Sequence, residues 1–451
     1  MALSDAATEP FDDLDRLSPA ELAAWVAERA GEVLRVAGSE LPFYQQRFAA
    51  AGFDPASFET LDDLERVPVF RKRDVLAAQH RARASRGAGP GDGMAGVGIE
   101  RLGTTAGRII TMSSGTEGTT FLRWPNEWRE MQGESSLRAH WWAGLRPGTP
   151  FLLVAPGWHV YAAVQSYIVE RLGLPGVVVS GTFLPRFADR VTEALRTFRP
   201  RFQILFLPMV FSLLAEARRK GLAPADVFGS VERLIVTGAP ITPGMRAHLQ
   251  RVTGIPAIIE LAGSTENLLA VECGRADGLH VVPDTSHIEI LDPSSGGPAA
   301  PGERGAVVHT TMVPWGSVYI RYDGGDLGTI DPTACPCGLP SARIKIVGRA
   351  ENTFVLGRRT WLPYDVQAAI EEAVPELAGV PFAILREGLA ANRLSLLFQA
   401  PEEAVAAAVD KEVPTALRGR FDVEVDARWS KTLPLLLKGV TPLLSEREVG
   451  E

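Results

Sequence analysis

FQILFLP (202–208), RLIVTGAP (233–240) and AIIELA (257–262) are short apolar runs rich in Ile, Val, Leu and Phe, with the helix-like stretch PGMRAHLQRV (243–252) between the last two. Continuous apolar runs of this length, bounded by Gly and Pro, read as strands buried on both faces. Outward from them the pattern repeats: FLLVAP (151–156) and GVVVS (176–180) are further strands, and ADRVTEALRTF (188–198) is a second crossover helix. Strands alternating with helices predict a mostly parallel sheet covered by helices.

Downstream the character changes. SHIEIL (286–291), AVVHTTM (306–312) and ARIKIVG (342–348) predict a β-rich part. After VGRAEN (347–352) a small α/β unit begins, with helices YDVQAAIEEAV (364–374) and EEAVAAAVDKEV (402–413) and strands PFAIL (381–385), RLSLLFQ (393–399) and FDVEVDARW (421–429). The fold class expected is α/β, with a large N-terminal domain (1–347) and a small, mobile C-terminal α/β domain (348–451). Upstream, LSPAELAAWVAERAGEVLRVA (17–37) has helical apolar spacing, with Ser18 as N-cap and Glu21 completing a capping box. The seven glycines of GAGPGDGMAGVGIERLG (87–103) predict a mobile loop.

Composition narrows the function. Of 451 residues 46% are hydrophobic and 22% charged, the balance of a globular protein. A net charge of −8 with mixed signs argues against nucleic acid or an anionic membrane surface as partner. No apolar run reaches the roughly 18–20 residues that span a bilayer. The acidic start MALSDAATEPFDDLDRL lacks a signal-peptide pattern, and the chain holds three cysteines, so a cytoplasmic setting without disulfides is expected.

Those cysteines are not scattered. Cys335 and Cys337 stand one residue apart in DPTACPCGLP (331–340), and Cys273 precedes His280 by seven residues in VECGRADGLHVV (271–282). Three thiols and one imidazole form the donor set of a closed, structural zinc site. The plain alternative is isolated buried thiols.

TMSSGTEGTT (111–120) is dense in Gly, Ser and Thr, and such a loop can surround phosphate oxygens with N–H and hydroxyl donors. It lacks the Gly-Lys-Ser/Thr ending of a Walker loop. Together with AGSTE (262–266), RYDGGDL (321–327) and GRAE (348–351), in that order, it resembles the adenylate-forming superfamily, and within it the phenylacetate–CoA ligase group. Two positions depart from that family's pattern: Thr119 stands where it carries Lys, and Ala262 where it carries Tyr.

The resemblance implies ATP-dependent activation of a carboxylic acid, aromatic by its pocket, as an acyl-adenylate, then transfer to the thiol of coenzyme A. It implies ATP contacts from Ser113, Ser114, Gly115, Thr116, Gly118, Gly238, Ala239, Gly263, Asp326 and Arg349. Glu266 would anchor Mg²⁺, Thr265 would bond the α-phosphate, and Lys438, with Lys431 as second candidate, would touch the reacting carboxylate. Asp326, acceptor-only when ionised, suits two ribose hydroxyls. GWHVYAAVQSY (157–167) would line the acid site through Trp158, His159 and Tyr161, while Trp141 and Trp142 read as core. Glu351 would mark the hinge about which the C-terminal domain turns. A homodimer is expected from the resemblance alone. Two other readings stand: an adenylate-forming amide or ester synthetase with a different acceptor, and an inactive, zinc-stapled nucleotide-binding scaffold.

Overall fold

The computed structural model describes residues 9–85, 98–99, 109–112, 121–124, 128–154, 160–179, 185–264, 266–313, 316–399, 403–430 and 443–445. The chain divides into two compact units, Met1–Thr182 with Leu261–Ile346, and Phe183–Glu260 with Val347–Glu451. The chain changes unit three times: between Thr182 and Phe183, inside the strand Ala257–Gly263, and between Ile346 and Val347.

In the first unit the helix Pro19–Glu40 starts with the expected capping box, Ser18 Oγ accepting from the Glu21 amide while the Glu21 carboxylate accepts from the Ser18 amide at 2.8 Å. Its inward face is Leu22, Val26, Ala30, Val33, Leu34 and Ala37, a helical stripe. The following helix, Pro42–Ala51, ends at Gly52 in the left-handed region. The parallel strands Phe151–Val154 and Gly176–Val179 are joined by the helix Val160–Leu172, as parallel pairing requires a crossover. From Leu261 onward pairing turns antiparallel: Leu268–Glu272 pairs with Leu261–Gly263 and with Leu279–Val281, and Leu279–Val281 pairs with Arg343 and Ile344. Ser286–Leu291, Gly305–Thr311 and Tyr322–Asp331 extend this ribbon. This is the expected β-rich part.

Buried charge fastens the unit. The Arg138 guanidinium meets Asp12 at 2.5 Å, Asp15 at 2.7 Å and Asp284 at 3.1 Å. Trp142, fully buried as expected, donates Nε1 to Asp15 Oδ2 at 2.8 Å. Trp141 differs: its Nε1 reaches the Glu9 carbonyl and Arg146 lies 4.0 Å over its ring, so it sits at the rim rather than in the core. Arg321 adopts a left-handed φ of 54° and pairs bidentately with Glu289 at 2.8 and 3.0 Å, while donating to the Glu65 and Val67 carbonyls.

The second unit contains the parallel pair Phe202–Phe206 and Arg233–Thr237, linked through the helices Leu207–Arg219 and Pro224–Phe228. The helix Pro243–Thr253 is capped by Thr242 and closed by Gly254 at φ 74°. The C-terminal stretch forms a four-stranded sheet ordered Glu424–Ser430, Arg393–Gln399, Phe382–Leu385, Leu443–Leu444, with the helix Glu403–Phe421 as the parallel crossover. Val366, Ile370, Ile384, Leu396, Phe398 and Leu417 lie in its core. From this stretch Glu371 reaches the start of the helix Pro243–Thr253: its carboxylate accepts from Thr242 Oγ1, from the Met245 amide at 3.2 Å and from Gln367 Nε2 at 2.9 Å. A Cβ on Gly244 would stand 2.5 Å from Glu371 Oε2, so glycine there lets the carboxylate in.

Of the glycine-rich segment 87–103, the described part is Gly98–Ile99, a short strand antiparallel to Gly316–Ser317. The remainder of that expected loop lies outside the described residues. Among the described residues no helix is long and apolar enough to cross a membrane.

Candidate functional site

The strand Leu268–Glu272 positions candidate residues at both of its ends. At its start is a tight turn. Ser264 Oγ accepts from the Glu266 amide at 3.2 Å, and the Ser264 amide donates to the Asn267 carbonyl at 2.8 Å. Asn267 fixes the turn by donating Nδ2 to the Thr285 carbonyl and to Ser286 Oγ. Glu266 is thereby held 8% exposed, and among the described residues no Lys, Arg or His pairs with its carboxylate. A buried carboxylate with no cation beside it is costly. Its negative field reaches Tyr319, whose phenol is pushed far up by burial first and by Glu266 second.

Gly263, one residue before the turn, is exposed, and Asn267 O would lie 3.2 Å from a side chain there, leaving bare backbone for a ligand to approach. Ala262 is buried in an apolar cluster with Leu269, Leu279, Ile288 and Ile344. Asp326 lies half-buried on the strand Tyr322–Asp331, one residue after Gly325, which has φ 90°. Three positions before it, Asp323 accepts from Arg71 Nε and from the Gly325 amide, both at 2.8 Å.

At the other end of Leu268–Glu272 stands Cys273. Cys273, His280, Cys335 and Cys337 are all buried, and their donor atoms lie within 4.8 Å of one another. Cys273 Sγ is 4.0 Å from Cys335 Sγ, and Cys337 Sγ is 3.3 Å from His280 Nε2. Ligands about 2.0–2.3 Å from a tetrahedral zinc stand roughly 3.3–3.8 Å apart, so the Cys337–His280 pair already has that spacing and the Cys273–Cys335 pair, at 4.0 Å, would draw in slightly around such an ion. His280 Nδ1 faces the Ser341 carbonyl and hydroxyl at 3.2 and 3.3 Å, which turns Nε2 inward. The thiols are in conflict without a cation: Cys337 hydrogen-bonds Cys273 and lowers its pKa to about 4, while Cys273 pushes Cys337 far up. A divalent cation removes that conflict because all three can then ionise.

Arg343 was not singled out in the sequence, yet it holds both loops of this quartet. It donates to the Asp277 carbonyl and carboxylate at 2.7 and 2.9 Å, and to Asp331 and Thr333 at 2.6 and 3.1 Å. Its partners all precede it in sequence, from 10 to 66 residues away, so no local pattern could have announced the role.

In the second unit, Gly238 and Ala239 follow directly on the strand Arg233–Thr237, at the carboxyl end where parallel sheets bind ligands. Gly238 has φ 89°, and a Cβ on it would stand 2.9 Å from the Phe206 ring, so two independent constraints demand glycine. Gly348 lies at φ 143°; Arg349 and Glu351 beyond it are half-exposed and 3.9 Å apart. Tyr161 is on the helix Val160–Leu172, its phenol pushed up by burial. Ser113, Ser114, Gly115, Thr116, Gly118, Trp158, His159, Thr265, Lys431 and Lys438 lie outside the described residues.

Known proteins point the same way. Residues 130–311 match a family model described as AMP-binding enzyme. A phenylacetate–coenzyme A ligase of Thermus thermophilus is 28% identical over 395 residues, which are 83% of this chain and 81% of that protein. One of Escherichia coli K12 is 29% identical over 358 residues, 77% of this chain and 75% of its own length. Among solved structures, a 2-hydroxyisobutyryl-CoA ligase in the postadenylation state superposes with a TM-score of 0.81 at 20% identity, covering 96% of this chain and 91% of that one. At 20% identity the likeness to that structure is one of fold. The chain is thus similar to phenylacetate–coenzyme A ligases over most of its length.

Proposed function

We propose that this protein is an AMP-forming acid–thiol ligase that joins a carboxylic acid, aromatic by preference, to coenzyme A. ATP is consumed and AMP and pyrophosphate are released. The acid's carboxylate oxygen attacks the α-phosphorus and pyrophosphate departs; the thiol sulfur then attacks the acyl carbon and AMP leaves. The observation that carries this reading is Glu266, a buried carboxylate held at a backbone turn with no cation beside it among the described residues. Mg²⁺ bound there would offset the repulsion between the acid and the phosphates. Gly263, Asp326, Gly238, Ala239 and Arg349 are proposed to contact the nucleotide, with Ser113, Ser114, Gly115, Thr116, Gly118 and Thr265. Trp158, His159 and Tyr161 are proposed to contact the acid, and Lys438 the reacting carboxylate.

Cys273, His280, Cys335 and Cys337 are proposed to hold a structural zinc, supported by their mutual distances and by the imidazole orientation set by Ser341. With four protein donors no position is left for substrate, so this ion would staple loops and leave the chemistry to the other end of the strand. A cytoplasmic setting and a homodimer complete the reading.

The deciding experiment is acid-dependent pyrophosphate release over a panel of aromatic acids, with and without coenzyme A. Release with coenzyme A consumption is expected. Release that ignores coenzyme A and needs an amine would favour an amide synthetase, and no release with any acid would leave the scaffold reading.

Residues 348–451 are proposed to turn about Glu351 between the two half-reactions. Glu351→Pro removes a backbone torsion. It should lower acyl-CoA formation at least about tenfold, roughly 1.4 kcal/mol on that barrier, while acid-dependent pyrophosphate exchange is largely kept. Equal loss in both assays would sink the hinge.

A further inference from the structure

The loop 238–242 runs from the strand Arg233–Thr237 to the helix Pro243–Thr253 and carries Gly238 and Ala239, the proposed nucleotide contacts. Buried carboxylates from two distant parts of the chain hold it. Glu260, on the strand Ala257–Gly263, accepts from the Ile241 amide at 3.4 Å. Glu371, on the helix Pro363–Ala373, accepts from Thr242 Oγ1 and from the Met245 amide, while Gln367 Nε2 donates to its other oxygen. Negative charge is favourable at a helix start, where it meets amides that the helix leaves unpaired. The fit depends on side chains that are missing. Gly244 lies inside the helix, where alanine is the better helix former, yet a Cβ there would stand 2.5 Å from Glu371 Oε2 and 2.7 Å from Glu371 Cβ. One turn on, at i+4, the His248 ring packs so closely on Gly379 that a Cβ at 379 would collide with it. One face of the helix is thereby shaped to residues 371–379.

We infer that Glu371 positions the nucleotide loop through Thr242, and that this hold is released when residues 348–451 turn. The inference rests on the proposed turn about Glu351 and on the assignment of Gly238 and Ala239 to the nucleotide. Glu260 and the loop both precede Glu351, so they stay together through the turn. Glu371 lies beyond it and travels with the turning part. The loop therefore has the Glu371 hold while ATP must be gripped for adenylation, and loses it while the thioester forms. Nucleotide is held tightly in the first half-reaction, and AMP leaves more readily in the second. Glu371 is a positioning residue in this scheme, because it touches the loop and not the reacting atoms.

The test compares the wild type with Gly244→Ala, Glu371→Ala and the double variant, using the best acid of the aromatic panel. Three readouts are taken: the KM for ATP in pyrophosphate exchange, thioester formation from saturating supplied acyl-adenylate and coenzyme A, and the Kd of AMP by calorimetry. Each single variant should raise the KM for ATP and the Kd of AMP at least about tenfold, while thioester formation changes less than about threefold. The double variant should be no worse than Glu371→Ala, because the added methyl then meets no carboxylate. A merely local role for position 244 predicts the opposite sign, since alanine favours the helix. Unchanged nucleotide affinity in the folded single variants overturns the inference, as do equal losses in both half-reactions or fully additive effects in the double variant. If neither single variant folds, Glu371→Gln keeps the volume and one accepting oxygen; it should weaken AMP and spare thioester formation, and any other pattern overturns the inference. If no acid yields pyrophosphate with the wild type, the proposed reaction fails. The Kd of AMP then still decides: weakening in each single variant without further loss in the double upholds the Glu371 hold on the loop, and an equal Kd throughout overturns it.

Discussion

The two ends of the strand Leu268–Glu272 make a natural experiment in how one fold treats two kinds of charge. They stand only about 14 Å apart, four steps of roughly 3.4 Å each. At the far end, Cys273 joins three other donors in a closed quartet with its imidazole oriented from behind. At the near end, Glu266 is buried with its amide and turn hydrogen-bonded but its carboxylate left without a cation among the described residues. The difference lies in where the donors are spent. One end uses every ligand on itself and suits a permanent ion, whereas the other keeps its charge available for an ion that arrives with substrate.

The contrast can be broken at either end. The largest effect is expected from Glu266→Gln, which keeps shape and removes the charge. Acid-dependent pyrophosphate release should fall at least about a thousandfold, roughly 4 kcal/mol of barrier, with the melting temperature almost unchanged. Near-normal release would dissolve the near end as a reactive site. Cys337→Ser should show the opposite signature. Elemental analysis should drop from about one zinc per chain toward none, stability should fall by about 2 kcal/mol or more in thermal melts, and the rate per folded molecule should change little. A wild-type protein that is folded yet free of zinc would remove the far end from the comparison.

The smallest effect sharpens rather than breaks it. Arg343→Met should cost about 1 kcal/mol, because its partners Asp277 and Asp331 are largely exposed and exposed ion pairs contribute little. That loss should be larger in chelator-treated protein than in the zinc-loaded form, as read by paired melts. An equal loss in both would mean that Arg343 and the quartet stabilise different loops.

What could be read in advance follows a physical line. Strands, crossover helices and the Ser18–Glu21 cap are set by local pattern and were legible as such. The quartet was legible too, because thiols are scarce in this chain and their spacing is unusual. Arg138, Arg321, Arg343 and Glu371 were not. Each acts on partners distant in sequence: Glu371 lies 129 residues from Thr242, and Arg138 lies 146 from Asp284. Arginine and glutamate on a helix or strand look like solvated surface until the tertiary fold supplies their partners. Trp141 shows the same limit from the apolar side: its type predicts core, and only its neighbours Glu9 and Arg146 make it a rim residue.

The Arg343 clamp also bears on how the chain matures. Its guanidinium ties Asp277, just past Cys273, to Asp331 and Thr333, just before Cys335, through bonds that need no metal. The ligand-bearing loops therefore meet as the polypeptide folds, and the proposed ion would enter a cage already drawn together. Capture of the proposed zinc would then be a late, separable event whose speed is set by solvent access to the quartet.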